Sequence, residues 1–415
     1  VSRLRFLLGI NVFWLALSML FDGLSSILLP AHLLGTLGEA SVATTLGIIT
    51  FAGLFIAMLV QPVAGLFSDR LRPRWGRRGT IGLGVLLTLA GLALFGAGRT
   101  LLLILAGYVL VQVAASIAQA AQQAFIPDQV EKEARGVASG VKSLMDLGGA
   151  LLGFALLGSV VEAAGIDAAL LALAAILLMT FLLTVVLVRE PTAAEAPVAR
   201  PPARGTLRRA FQIDLRRHRA FVWLVFSRFL FLLGTYAVGR FLLLFMAERL
   251  NLAPGQAAEE AGLLLGILTL ATLVATVPAG ILADRFGRLP LMAAGGLLSA
   301  AGVLPLIWAD TALEIALFGS LMSLGSAAFA SANWALTADL VPDEEAARFF
   351  ALANFGTAGA AALAGLFGPL VDAADTILPG AGFPFLFMAA TVALLASTAA
   401  LRPLAASRAA SFEPA

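Results

Sequence analysis

The sequence predicts an all-α polytopic membrane protein of twelve transmembrane helices, arranged as two pseudo-symmetric six-helix bundles. Composition, the spacing of apolar runs and an internal repeat predict it. Of 415 residues 60% are hydrophobic and only 13% charged, with a mean hydropathy of +0.97. Charge at about half the share of a soluble domain cannot cover a water-facing surface of this size, so lipid is the solvent for much of the chain. The 41 glycines suit helices that pack closely inside a bilayer. With no cysteine, disulfides, thiolate metal sites and cysteine nucleophiles are excluded. The two histidines, His32 and His218, are too few and too far apart to suggest a metal site. The phosphate-cradling Gly-x-x-x-x-Gly-Lys-Ser pattern is absent, and no nucleophile–base pair stands out, so no enzyme is expected. The first apolar run is long and flows into others, so no cleavable leader is expected.

A hydrocarbon core about 30 Å thick takes about 20 helical residues to cross, and no backbone group can be left unpaired in it. The apolar runs place spans at 6–34, 42–66, 80–98, 101–126, 137–161, 166–188, 221–247, 261–282, 290–309, 311–338, 348–372 and 382–402. Ionisable groups inside such runs are costly and therefore functional candidates. Span one carries Asp22 just past its middle and His32 near its outer end, the latter expected at the interface. Span two has Gln61 and no acid. On span four, Gln112, Ser116, Gln119 and Gln123 recur at helical spacing on one face, which suits hydrogen bonds to a hydroxyl-rich solute and equally suits helix–helix glue. Span five has Lys142 and Asp146 four apart on one face. Span seven carries Arg228 and Arg240, about 120° apart around the helix; snorkelling to the interface is the simple expectation for Arg228, and Arg240 is kept as a candidate ligand. Span ten has a row of small and polar residues, Gly319, Ser323, Ser326, Ala330 and Asn333, with Trp334 beside it. Asn354 on span eleven is a weaker candidate.

The charges orient the array. With both termini inside, Lys142, Arg228 and Arg240 fall within spans and Arg99 and Arg249 outside, leaving the other twenty-two of the 27 basic residues on the cytoplasmic side. Glu39, Glu162, Asp167, Glu259, Glu260, Asp310, Asp372 and Asp375 fall in outer loops. This is a positive-inside distribution, and it fits an even number of spans. The Pro-, Ala- and Arg-rich segment 191–220 then separates 1–190 from 221–415 as a basic cytoplasmic linker.

The flanks of that linker repeat each other. Gly65 and Asp69 of the first half correspond to Gly280 and Asp284 of the second, each displaced by 215 residues, and Asp128 corresponds to Asp339, displaced by 211. Two pairs in the same order indicate a duplicated six-helix unit of parallel orientation.

The stretch Gly65-Leu-Phe-Ser-Asp69-Arg70-Leu-Arg72-Pro-Arg74-Trp75-Gly76-Arg77-Arg78 resembles the loop between helices two and three of major facilitator proteins, and Gly280-Ile-Leu-Ala-Asp284-Arg285-Phe-Gly287-Arg288 is its second copy. The longer first copy, with Ile126-Pro127-Asp128, is similar to the glycoside–pentoside–hexuronide cation symporters and the sucrose-transporter branch. The resemblance implies the major facilitator fold and a secondary transporter for a small polar solute, a sugar or glycoside, moved by alternating access. A drug or lipid exporter and a non-transporting membrane sensor are the alternatives. It implies that Gly65, Asp69, Arg70, Arg77, Arg78, Asp128, Gly280, Asp284, Arg285 and Arg288 form a cytoplasmic gate, the glycines allowing close helix approach. Asp22, Gln112, Gln119, Gln123, Lys142, Asp146, Arg240, Asn333 and Trp334 are the candidate substrate and ion ligands; the symporter group carries sugar-contacting basic residues on helix five, where Lys142 lies. That group also holds its cation on acids of helices two and four, which are missing here, so protons through Asp22 or Asp146 are the expected coupling ion. A resident metal or cofactor is not expected, nor a nucleic-acid partner. The expected setting is the inner membrane, as a monomer among lipids with both termini cytoplasmic.

Overall fold

The computed structural model describes residues 3–37, 41–131, 134–188, 218–341 and 346–405; of Asp69 and Arg70 the backbone alone is described. The linker expected at 191–220 lies almost wholly outside these residues. The spanning helices are α1 (Arg5–Thr36), α2 (Val42–Ser68), α3 (Trp75–Gly96) and α4 (Leu101–Gln123), then α5 and α6 within Arg135–Leu187. They continue with α7 (Arg219–Arg249), α8 (Pro254–Phe286), α9 (Arg288–Trp308), α10 (Ala312–Leu340), α11 (Leu352–Ile377) and α12 (Gly382–Ala405). Arg135–Leu187 is one continuous helical stretch of 53 residues, which would run about 80 Å if straight, more than twice the hydrocarbon thickness. It breaks at Gly165, where φ is 83° and a side chain would be strained. The stretch is therefore two crossings, α5 (135–164) and α6 (166–187), and the described residues make twelve.

Several outer boundaries differ from expectation: Glu162 and Asp167 lie within Arg135–Leu187, and Asp372 and Asp375 within α11. α8 begins at Pro254, not near 261, so Glu259 and Glu260 lie inside its opening turns instead of in a loop. Proline fits the first turn, which has no internal partner for its missing N–H.

The chain forms two compact units, Val1–Arg200 with Leu242–Gly266, and Pro201–Phe241 with Ile267–Ala415. In the first unit α3 and α4 touch backbone to backbone. A Cβ at Gly84 would lie 2.8 Å from the Ala118 nitrogen, and one at Gly91 would lie 2.9 Å from the Val111 nitrogen. α1 and α5 are as close: Gly149 lies against the Leu15 carbonyl, and a Cβ at Gly153 would be 3.0 Å from Met19 Cα. Buried amides pin the bundle, Asn11 Nδ2 donating to the Ala138 carbonyl at 3.2 Å and Gln122 Nε2 to the Ile10 carbonyl at 2.7 Å. Midway, α1 widens into a π-helix over Met19–Leu28, with Asp22 in its first turn; such widening recurs at functional sites. His32 is buried, with Nε2 3.1 Å from the Gly98 carbonyl and its ring against Phe95. The start of α8 packs on α5, Gly158 against the Ala258 carbonyl and Gly262 against that of Phe154.

The second unit repeats the first pattern. A Cβ at Gly295 would lie 2.8 Å from the Phe329 nitrogen, and one at Gly302 2.5 Å from that of Met322. All four residues stand 211 positions after Gly84, Ala118, Gly91 and Val111. The N-caps agree: Thr100 accepts from Leu103 N, and Thr311, 211 residues later, accepts from Glu314 N within a capping box. α7 is tied to α12 by reciprocal Ser227 and Ser397 hydrogen bonds. It is tied to α10 by Phe231 stacked on Phe329, with ring centroids 3.9 Å apart.

Candidate functional site

In the first unit the glycine contact between α1 and α5 brings Trp14 against Lys142. The Lys142 Nζ sits 3.9 Å from the centroid of the buried Trp14 ring and 2.6 Å from Asp146 Oδ2. The side chains of the ion pair are 30% and 31% exposed, so its charges are neither sealed in the core nor fully solvated. Trp14 Nε1 has no hydrogen-bond partner among the described residues. Four residues on from Trp14, Ser18 Oγ donates to Asp22 Oδ2 at 3.1 Å.

The four polar residues of α4 share a face but not an environment. Gln112 and Ser116 are buried, Gln119 is half-buried and Gln123 exposed. Gln61 Nε2 on α2 donates to Gln119 Oε1 at 2.8 Å, so one member acts as a link between helices. Gln112 has neither amide atom hydrogen-bonded among the described residues. It lies beside Tyr108, which shares a 2.9 Å hydrogen bond with Ser25 of α1.

In the second unit Arg228 does not snorkel. Its side chain is buried, Nε donating to Thr357 Oγ1 on α11 at 3.1 Å and Nη1 to Asn333 Oδ1 on α10 at 3.2 Å. Its guanidinium carbon lies 4.0 Å from the Trp334 ring centroid. The helices are held in this register by aromatic contacts on either side. Phe231 on Phe329 continues the antiparallel α7–α10 pairing, and Phe221 on Phe349, in the helix Ala346–Leu363 that leads into α11, the parallel pairing of α7 with that helix. Asn333 Nδ2 is buried without a partner among the described residues. Arg240 is also buried, and its Nη1 has no partner there. Asn354 is exposed. The structure thus brings Asn333 and Trp334 together around Arg228, a residue expected at the interface. Its partners lie 105 and 129 residues away, and no local pattern announces them.

The expected gate residues divide. Arg77 is buried and bridges Asp128 Oδ2 at 3.1 Å and Ser68 Oγ at 2.8 Å. Arg288 pairs with Asp339 and donates to the Ala335 carbonyl at 2.7 Å. Both members of this second pair are displaced by 211 residues from the first, so one ion pair occurs twice. Arg78 is half-buried, and Asp284 and Arg285 are exposed, the Arg285 guanidinium 5.4 Å from the Phe286 ring. The expected close approach at Gly65 and Gly280 is not found. Nothing lies within 4 Å of a Cβ at Gly65, and a Cβ at Gly280 meets only Ser331 Oγ at an ordinary 3.4 Å. The crowded glycines lie instead within the helices, on α3 and α9 and at the α1–α5 and α5–α8 contacts.

A sequence profile of the Major Facilitator Superfamily matches residues 12–258 and again 224–415. No curated protein matches the chain. Among solved structures the fold is similar to that of the nucleoside transporter NupG, with TM-score 0.71 and 14% identity over 95% of this chain and 98% of that one. It is also similar to a bacterial homologue of the human lysosomal transporter Spinster in an inward-facing, occupied conformation. There the TM-score is 0.72 and the identity 15%, over 96% of this chain and 94% of that one.

Proposed function

The chain belongs to the Major Facilitator Superfamily as a multi-pass membrane transporter, and from that premise we propose a secondary carrier for a small polar solute, a sugar or glycoside, driven by protons. It works in the inner membrane as a monomer with both termini cytoplasmic, and its halves, 1–190 and 221–415, alternate access to the solute. It takes no resident cofactor and no nucleic-acid partner.

The observation that carries this reading is the Lys142–Asp146 pair on Trp14. An ionisable pair within a spanning helix costs free energy to keep and is retained where it works. At 31% exposure the Asp146 carboxylate is reachable, so a proton or a solute hydroxyl can replace its lysine partner. The Gln61–Gln119 hydrogen bond, also solvent-accessible, can be exchanged for hydroxyl contacts in the same way. The paired Arg77–Asp128 and Arg288–Asp339 contacts supply a latch in each half that opens and recloses during the cycle.

Purified protein in proteoliposomes, given an inward proton gradient, is expected to accumulate a sugar or glycoside against its gradient. Asp146→Asn, and separately Asp22→Asn, are expected to abolish uphill accumulation while leaving downhill exchange. No accumulation across a sugar panel removes the sugar assignment; full accumulation by both variants removes these carboxylates from coupling.

A further inference from the structure

We infer that the second unit holds an anion subsite built from Arg228 and Asn333, so that the solute carries a carboxylate or phosphate group. This rests on the transporter reading for the word solute, but the subsite itself stands on charge and hydrogen bonding.

Taking a guanidinium out of water is expensive unless a counter-charge or a full set of acceptors replaces the solvent. Arg228 is 8% exposed, and its partners are all neutral: a threonine hydroxyl, an amide oxygen and an indole ring. The ring's negative face attracts the cation but does not neutralise it. Among the described residues no carboxylate pairs with Arg228. The acids described in this unit, Asp284, Asp310, Glu314, Asp339, Asp372 and Asp375, all stand near helix ends. The first unit makes the contrast: its buried arginine, Arg77, pairs with Asp128, and its half-buried Lys142 has its own acid one turn away.

Asn333 supplies the second observation. Its oxygen is committed to Arg228, which fixes the amide's orientation and leaves Nδ2 as a donor, and that donor is buried without a partner. A cation lacking a counter-charge and an amide donor lacking an acceptor therefore sit on facing turns of α7 and α10. A solute hydroxyl would satisfy the amide and leave the charge. A carboxylate or phosphate oxygen satisfies both, and charge-assisted bonds to guanidinium are the stronger kind. Thr357, whose hydroxyl donates to the Ala353 carbonyl at 3.1 Å, holds Nε and aims the remaining N–H groups. Arg240, further along α7 and roughly 18 Å away at helical rise, adds positive potential without sharing the subsite.

The test uses the full chain and chemically matched probes: galactose against galacturonate, glucose against glucose 6-phosphate, and a monoacylglycerol against lysophosphatidylglycerol. The last pair separates a lipid headgroup from a water-soluble anion. The anionic member of at least one pair is expected to bind roughly ten- to hundredfold tighter, the weight of one or two bonds to a charged group. Arg228→Gln is expected to erase that difference. Asn333→Asp places an internal carboxylate beside the guanidinium, so it is expected to erase the preference while melting no lower than the parent, which keeps the test valid if Arg228→Gln fails to fold. Equal binding within every pair, binding of no anion, or an unchanged preference in Asn333→Asp overturns the subsite. Counterflow of a neutral sugar alone would overturn it and leave the carrier intact. Anion binding without flux of any probe would leave the subsite and overturn the carrier.

Discussion

Arg77 shows at the scale of one residue what the loop motif does physically. Its side chain is 8% exposed and meets an acid and a serine from two other segments. Arg288 makes the repeated pair with its side chain 29% exposed. The two copies are chemically alike and energetically different, because breaking a buried pair strands a charge that solvent can otherwise screen. A carrier must make and break its latches with each turnover, and removing one shifts the balance between the states that do and do not contain it. Arg77→Gln is therefore expected to lower turnover on the order of tenfold with substrate affinity within about twofold. Arg288→Gln is expected to do less. Counterflow rates set beside equilibrium binding check this, and a loss confined to affinity would place Arg77 at the solute instead.

At the scale of helices, the contacts that hold each unit together are glycines, and they are not the glycines of the motif. Gly65 faces open space, whereas Gly84 and Gly295 bring backbones together on α3–α4 and α9–α10. Gly84→Val and Gly295→Val are expected to destabilise by roughly 1–3 kcal/mol each, the cost of overpacking a close contact. Gly65→Ala is expected to leave the melting temperature in detergent unchanged. A destabilised Gly65→Ala with a normal Gly84→Val would reverse the assignment. The number and order of helices were readable in advance because lipid imposes length and apolarity on every span. The Lys142–Asp146 pair was readable because four residues is one helical turn. The 211-residue offset of Gly84 and Gly295 is also present in the sequence, but among 41 glycines nothing local marks which ones bring backbones together. Arg228 with Asn333 and Thr357 was not readable at all: a contact between helices depends on rotation and register, and neither is encoded in hydropathy.

For the whole molecule the decisive feature is the break at Gly165. If Arg135–Leu187 crossed the membrane once, every later segment would change sides and the two loop motifs would face opposite compartments. With the turn at Gly165 six apolar helices separate Trp75 from Phe286, the even number that parallel repeats require. The basic residues clustered at those loops independently favour the cytoplasmic side. Because the chain has no cysteine, single substitutions can be labelled without background. Trp75 and Phe286 are exposed at helix ends, 55% and 62%, and Asn251 and Leu378 are exposed at the other ends. In oriented membranes Trp75→Cys and Phe286→Cys are expected to react with an impermeant maleimide from one face only, and Asn251→Cys and Leu378→Cys from the opposite face only. Trp75→Cys and Phe286→Cys reacting from different faces would mean an odd number of crossings between them. The duplicated ion pairs would then sit on opposite sides of the membrane, where they could not serve as equivalent latches.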